Sequence, residues 1–456
     1  MIEAGAVGIM VESHRLSVLR PLNLEAYLIA LRAPRFAFSD HSKGAAMKPI
    51  AFFFACSLIA FTFLSPSQSI SQEPIKIGFL YVFSGRLGHY GAGAKQGAEI
   101  AMDEINNAGG VLGRKIVGTF ADTQLKPEVG VEAATKLVTD EKVDVVMGIV
   151  SSGVADAVAP VMNRLRTPLI ITLAMTPDVT GPKCNPYTFR ISMNGPQNLV
   201  GASTLAADMK DATHWTTIGP DYLFGYQCWE YFQKYLGAKR RDVTFAPDTE
   251  IAYAPVTTIE FRPYIEKIMK TRANGVLISL YGGNLMDFIR EASAMGFFDG
   301  KRKVLMNLAF SGDVMVGLST QLPKGLWLGG LYWFQANSSP VNQQFVAAYT
   351  ARYHVFPDFN AHGGYAGVKT YAAAVEKAGT TDKEKVVKAL EGLAVDLPQG
   401  RTVIRAGDHQ AIMDGVWGMT GDFDAKLRFR KLDPLKIFPG EEIIPPVEQT
   451  GCKMPQ

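Results

Sequence analysis

Four short segments, each where a predicted strand ends and a helix begins, hold the polar groups of this 456-residue chain that could do chemistry. Ser151-Ser152-Gly153 and Ala174-Met175-Thr176 offer hydroxyls and backbone amides; Asp221-Tyr222-Leu223-Phe224-Gly225 and Tyr281-Gly282-Gly283 offer phenols. In open parallel sheets ligands sit beyond the carboxyl ends of strands and against helix N-termini, so the serine and threonine segments suit a carboxylate. The tyrosines suit an apolar ligand that also needs a hydrogen-bond donor. Plainer roles compete: a serine in such a place commonly caps its own helix, Thr176 before Pro177 reads as a turn, and a lone tyrosine is often a rim residue. Trp333 and Phe334 end an apolar run and are either ligand surface or hinge packing.

Signatures of enzymes are absent or weak. The chain has no His-Glu-x-x-His pair, no Cys-x-x-Cys and no Gly-x-Ser-x-Gly elbow, so neither a metal nor a cofactor is expected. Gly91-Ala92-Gly93 with Gly97 follows a strand, and Asp122 ends the next one, but the spacing is one residue off a dinucleotide fingerprint. These glycines are read as points of close approach to a ligand or a neighbouring strand. His89, His214, His354, His362 and His409 are scattered and are read as surface or structural residues. A formal charge of +3 with no run of like charge excludes a nucleic-acid track.

The elements that must position these segments alternate. Strands are expected at Ile75–Phe83, Lys115–Ala121, Val143–Val150 and Pro168–Leu173, with amphipathic helices between them, which predicts a parallel sheet covered on both faces. After an extended crossover at Tyr187–Ile191 the rhythm restarts with strands at Trp215–Ile218, Val243–Phe245, Gly275–Leu280 and Val304–Leu308. Leu326–Phe334 reads as strand-like, three helices follow it, and the β-rich segments around Thr402–Ile404 and Val416–Met419 are expected to return to the second lobe. The fold class is thus α/β, with two doubly wound, Rossmann-like lobes joined by a three-crossover hinge. Lobe one takes residues 73–189 and 332–400, lobe two 190–331 and 401–440, and a tail 441–456.

Ahead of the first strand, Met47-Lys48, the apolar run Ile50–Leu64 and the small residues Ser69 and Ser71 read as a secretory signal over residues 47–72, with a retained anchor as the alternative. Residues 1–46 then precede a complete signal and are read as a non-native leader. Cys56 lies mid-run, which argues against lipidation. Export leaves Cys184, Cys228 and Cys452, an odd number in an oxidising compartment. Cys184 with Cys452 is the favoured disulfide, because it ties down a loose tail beside the crossover; Cys184 with Cys228 remains open.

The stretch from Ile100 to Ile116 joins a helix to a strand through a glycine turn: Ile100, Ala101, Ile105 and Ala108 recur at helical spacing, Asn106 and Asn107 end the helix, and Gly109 and Gly110 form the turn. Together with Ile75–Leu80, the helix after Tyr90-Gly91 and Phe120-Ala121-Asp122-Thr123, it resembles the solute-binding proteins of branched-chain amino acid ABC importers, from Ile75 to about Pro434. The resemblance implies a type I periplasmic binding protein fold and a monomeric periplasmic receptor that hands a small ligand to a membrane permease. It assigns Ser151, Ser152, Ala174 and Thr176 to the ligand carboxylate, and Tyr90, Tyr222 and Tyr281 to aromatic contacts. Members that take α-amino acids place an acid after the strand matching Val304–Leu308, where this chain has Ala309 or Phe310. An unpaired buried ammonium is costly, so an aromatic or other hydrophobic carboxylic acid is the expected ligand, with added surface from Phe310, Trp333 and Phe334. Asp313 is the one acid in that loop that could still reach an amine. A ligand sensor of the same fold and an exported α/β enzyme are the rival functions.

Overall fold

Ile75–Tyr81 is apolar except at Lys76 and Gly78, a pattern that suits a strand covered on both faces. In the computed structural model, which describes residues 73–454, this segment is β1. The expected leader (1–46) and signal (47–72) lie outside the described residues. The chain continues through α1 (Gly88–Asn107), β2 (Ile116–Asp122), α2 (Pro127–Thr139), β3 (Val145–Gly148), α3 (Ser152–Arg164), β4 (Leu169–Ile171) and β5 (Thr188–Arg190). The five strands form one parallel sheet in the order β2-β1-β3-β4-β5. Ile77, Phe79 and Tyr81 enter the core on the α1 side, whereas Leu80 joins Val146, Leu169 and Ile171 beneath α2 and α3. The period-two alternation of a strand is what supplies both faces.

A second sheet follows the same logic. Its elements are α4 (Gly195–Asp208), β6 (His214–Pro220), α5 (Leu223–Lys239), β7 (Thr244–Phe245), β8 (Ala252–Ala254), α6 (Arg262–Met269), β9 (Gly275–Ile278), α7 (Gly282–Ala294), β10 (Lys303–Met306), α8 (Gly312–Leu318) and β11 (Trp327–Gly330). Only Trp327–Gly330 of the apolar run is strand; Leu331–Phe334 belongs to the passage back to the first sheet. There α9 (Pro340–Tyr353), α10 (Phe359–Ala378) and α11 (Lys383–Leu390) assemble, with α10 lying along α1. Gly97 is required at that contact, because a Cβ on it would stand 1.8 Å from the carbonyl oxygen of Ala361. This glycine therefore lets two helices touch, and not a strand or a ligand.

The segment around Thr402 is a correction. β12 (Ala394–Leu397) and β13 (Gly400–Ile404) form a tight antiparallel hairpin, with Leu397 opposite Gly400, and β14 (Ala411–Ile412) completes a separate three-stranded sheet. The chain rejoins the second sheet only at β15 (Gly415–Asp424), which pairs antiparallel with β11 and with β16 (Phe429–Phe438). A two-residue turn at Pro398-Gln399 folds β13 back on its neighbour before it can travel further. The chain thus passes between the sheets after β5, after β11 and after β14. A disulfide links Cys184 to Cys452, while Cys228 is free and buried in α5. Among the described residues no helix is long and apolar enough to cross a membrane.

Candidate functional site

Helix N-termini from both sheets converge where the two halves meet. On the first, α3 starts at Ser152 with Ser151 as its N-cap residue, yet the Ser151 side chain makes no capping bond. Both serines are buried, at 8% and 1% exposure, and neither hydroxyl is spent on its own helix. The first amides of the helix have no preceding turn to bond, so this end is a concentration of donors. The Ala174–Thr176 segment is more committed: the Ala174 amide donates to the Ile149 carbonyl at 2.9 Å, and Thr176 Oγ1 accepts from the Asp178 amide at 3.3 Å.

From the second sheet, Tyr222 and Tyr281 are the residues just before α5 and α7. Their hydroxyls lie 2.9 Å apart. Tyr90 of α1 meets Tyr281 edge to face, with ring centroids 5.8 Å apart. Burial pushes the Tyr281 phenol up to about 12 and those of Tyr90 and Tyr222 well above their ordinary value, so all three remain neutral. The Tyr90 hydroxyl is buried without a hydrogen-bond partner.

Tyr90, Ser152, Met175, Tyr222 and Tyr281 line one cavity between the halves, joined by aliphatic and phenyl groups that the sequence had not singled out, Phe224, Leu308, Leu331 and Phe359 among them. No lining residue is charged. The space left is about 20 Å³, so a ring-sized guest requires the halves to part or the tyrosines to turn. Ser151, Ala174 and Thr176 flank this cavity in sequence without lining it.

Phe310 and Trp333 go elsewhere. The Phe310 ring is wholly buried against β11, where a Cβ on Gly330 would stand 2.3 Å from it, and lies 5.3 Å from the Trp333 ring. Trp333 and Phe334 instead line a neighbouring cavity of about 590 Å³ together with His89, Asp313 and Asp358. The aromatic surface expected from Phe310, Trp333 and Phe334 is therefore packing and a side chamber, not the wall of the tyrosine cavity.

Contacts across the cleft hold the halves together. Arg86 pairs with Asp287, and His89 Nε2 lies 2.9 Å from Asp313 Oδ2, so the acid that follows β10 faces an imidazole from the first half. Asp358 caps α10 by accepting from the amides of Asn360 and Ala361, and also accepts from the Gly312 amide at the start of α8, 3.1 Å away. Gly282, at φ +53°, abuts the first half so closely that a Cβ would stand 2.9 Å from Leu87 Cδ2. An aspartate directly before a helix was a readable cap in the sequence. Its second partner was not.

Comparison with known proteins places this geometry. The chain is 33% identical to the Leu/Ile/Val-binding protein homolog 3 of Brucella melitensis over 34% of its own length; the match spans 42% of that relative. The amino acid ABC transporter substrate-binding protein of Pseudomonas fluorescens superposes with a TM-score of 0.74 at 24% identity, covering 84% of this chain and all of that one. A solute-binding protein of R. palustris in complex with benzoate superposes at 0.70 with 22% identity, covering 83% and 99%. The family described as periplasmic binding protein matches residues 74–424. With two doubly wound halves, three passages between them and helix N-termini turned toward a shared cleft, this chain belongs to the periplasmic binding protein family.

Proposed function

We propose that the protein is the exported, periplasmic solute receptor of an ABC importer, which closes over a small carboxylate and presents the closed form to a membrane permease. The favoured ligand is an aromatic or hydrophobic carboxylic acid, and no covalent chemistry is involved. One observation carries the reading: the cavity between the halves joins Ser152, at the amino end of α3, to neutral phenols and apolar walls, with no charged residue on its lining. A carboxylate gains charge-assisted hydrogen bonds at such a helix end, whereas an ammonium finds no anion to pair with. Ser151, Ser152, Ala174 and Thr176 are assigned to the acid group, Tyr90, Met175, Tyr222, Tyr281 and Gly282 to the body of the ligand. The benzoate held by the R. palustris relative supports this class. The name of the Brucella relative supports the second reading, a branched-chain amino acid.

Calorimetry with benzoate, 4-hydroxybenzoate, phenylpropanoate, leucine and valine separates the two. Ring acids are expected to bind near the micromolar range, about 8 kcal/mol, and the amino acids weakly. Tight leucine binding overturns the proposal in favour of the second reading.

A further inference from the structure

Arg190 closes β5 with its entire side chain buried. Its Nη2 donates to the carbonyl of Thr176, while Nε and Nη1 are buried with no partner. The nearest acids act on it from farther off, and both are engaged already: Asp178 with Lys183 and Gln227, Asp408 with Arg405. Burial pulls the guanidinium down to about 9, which leaves it cationic at neutral pH. A buried cation with free donors is a strained arrangement unless an anion comes close. The loop it grips, Ala174–Thr176, is the one assigned above to the ligand's acid group.

We infer that Arg190 is a positioning residue that clamps the Ala174–Thr176 loop through the Thr176 carbonyl and supplies the buried positive charge by which the first half of the cleft selects an anion over its neutral amide. The inference rests on the carboxylate reading of the site and names the group that enforces it. Because the guanidinium is buried, its field is little screened by salt and extends past the residue it touches.

The test compares benzoate with benzamide on the full chain, as wild type, Arg190→Gln and Arg190→Lys, by calorimetry. Arg190→Gln is expected to weaken benzoate about tenfold or more while benzamide changes little, a contrast that merely structural damage would not produce. Arg190→Lys keeps the charge but not the fork, so it weakens both probes modestly and preserves their ratio. Equal loss of both probes in Arg190→Gln overturns the inference, as does no loss. Should the Gln variant show no cooperative melt, a collapsed benzoate-to-benzamide ratio in Arg190→Lys overturns it instead, and a kept ratio supports it. Wild-type protein that binds leucine and neither ring compound overturns the functional reading alone; leucine against leucinamide then poses the same charge contrast to Arg190.

Discussion

Replacing Asp358 by alanine separates what holds α10 from what holds the cleft shut. The carboxylate accepts from the Asn360 and Ala361 amides at 2.9 and 3.1 Å within its own half, and from the Gly312 amide at 3.1 Å across the cleft. Loss of the cap costs roughly 1–2 kcal/mol of fold stability in the open and closed forms alike. The bond to Gly312 exists only in the closed form, and a hydrogen bond to a charged group contributes roughly 1.5–3 kcal/mol net, so closure weakens by about 10- to 160-fold. If the ligand binds productively only to the closed form, its apparent affinity falls by up to that factor. Asp358→Asn retains a good cap but loses the charge, so its melting temperature is expected near wild type and its affinity between the two. Calorimetry reads the affinity, thermal melting the stability and small-angle scattering the spread of the halves. A lowered melting temperature with unchanged affinity and unchanged dimensions for Asp358→Ala refutes the role across the cleft and leaves Asp358 a helix cap only.

Further outcomes follow from the same contacts. Burial lowers the pKa of His89, but the hydrogen bond and charge of Asp313, with the charge of Asp358, outweigh it and hold the imidazole above its ordinary value. The closing contribution is then full below the ordinary histidine value and is lost as pH rises through the raised one. Affinity for an acid ionised throughout should decline over that rise, and His89→Gln should flatten the profile; a wild-type profile that is already flat removes His89 from the latch. Gly282→Ala places a side chain at φ +53° and 2.9 Å from Leu87, so scattering should report wider halves and calorimetry several-fold weaker binding, with unchanged dimensions counting against the close contact. Removing the disulfide as Cys184→Ala with Cys452→Ala frees a link across 268 residues, for which chain entropy sets an upper bound near ~5–6 kcal/mol. Melting should fall in the variant and in reduced wild type alike; equal melting of all three forms would mean the bridge fastens only the terminal tail.

Much of the frame was written locally. Unbroken apolar runs such as Val145–Gly148 are buried on both faces, and that demand, with glycines where helices end, sets the parallel strands of both sheets without reference to anything distant. The geometry of such sheets also pointed to the segments that hold Ser152, Met175, Tyr222 and Tyr281, and the resemblance added Tyr90; these five share one cavity, because strand ends carry their following loops to a predictable edge. Thr402–Ile404 was misplaced because an alternating strand reads the same whether it pairs with the neighbouring hairpin arm or with a remote sheet.

Side-chain direction in a loop is another matter. Phe310 and Ala309 are adjacent, and the absence of a Cβ at Gly330 leaves the room into which the phenyl ring turns, against β11. Residue type and spacing thus fixed which segments reach the cleft, since periodicity is a property of the chain itself. Which atoms enter it, which acids pair across it and how tightly the halves close were decided by groups far apart in sequence, such as Asp358 with Gly312 and Arg86 with Asp287, whose proximity exists only once both sheets are packed.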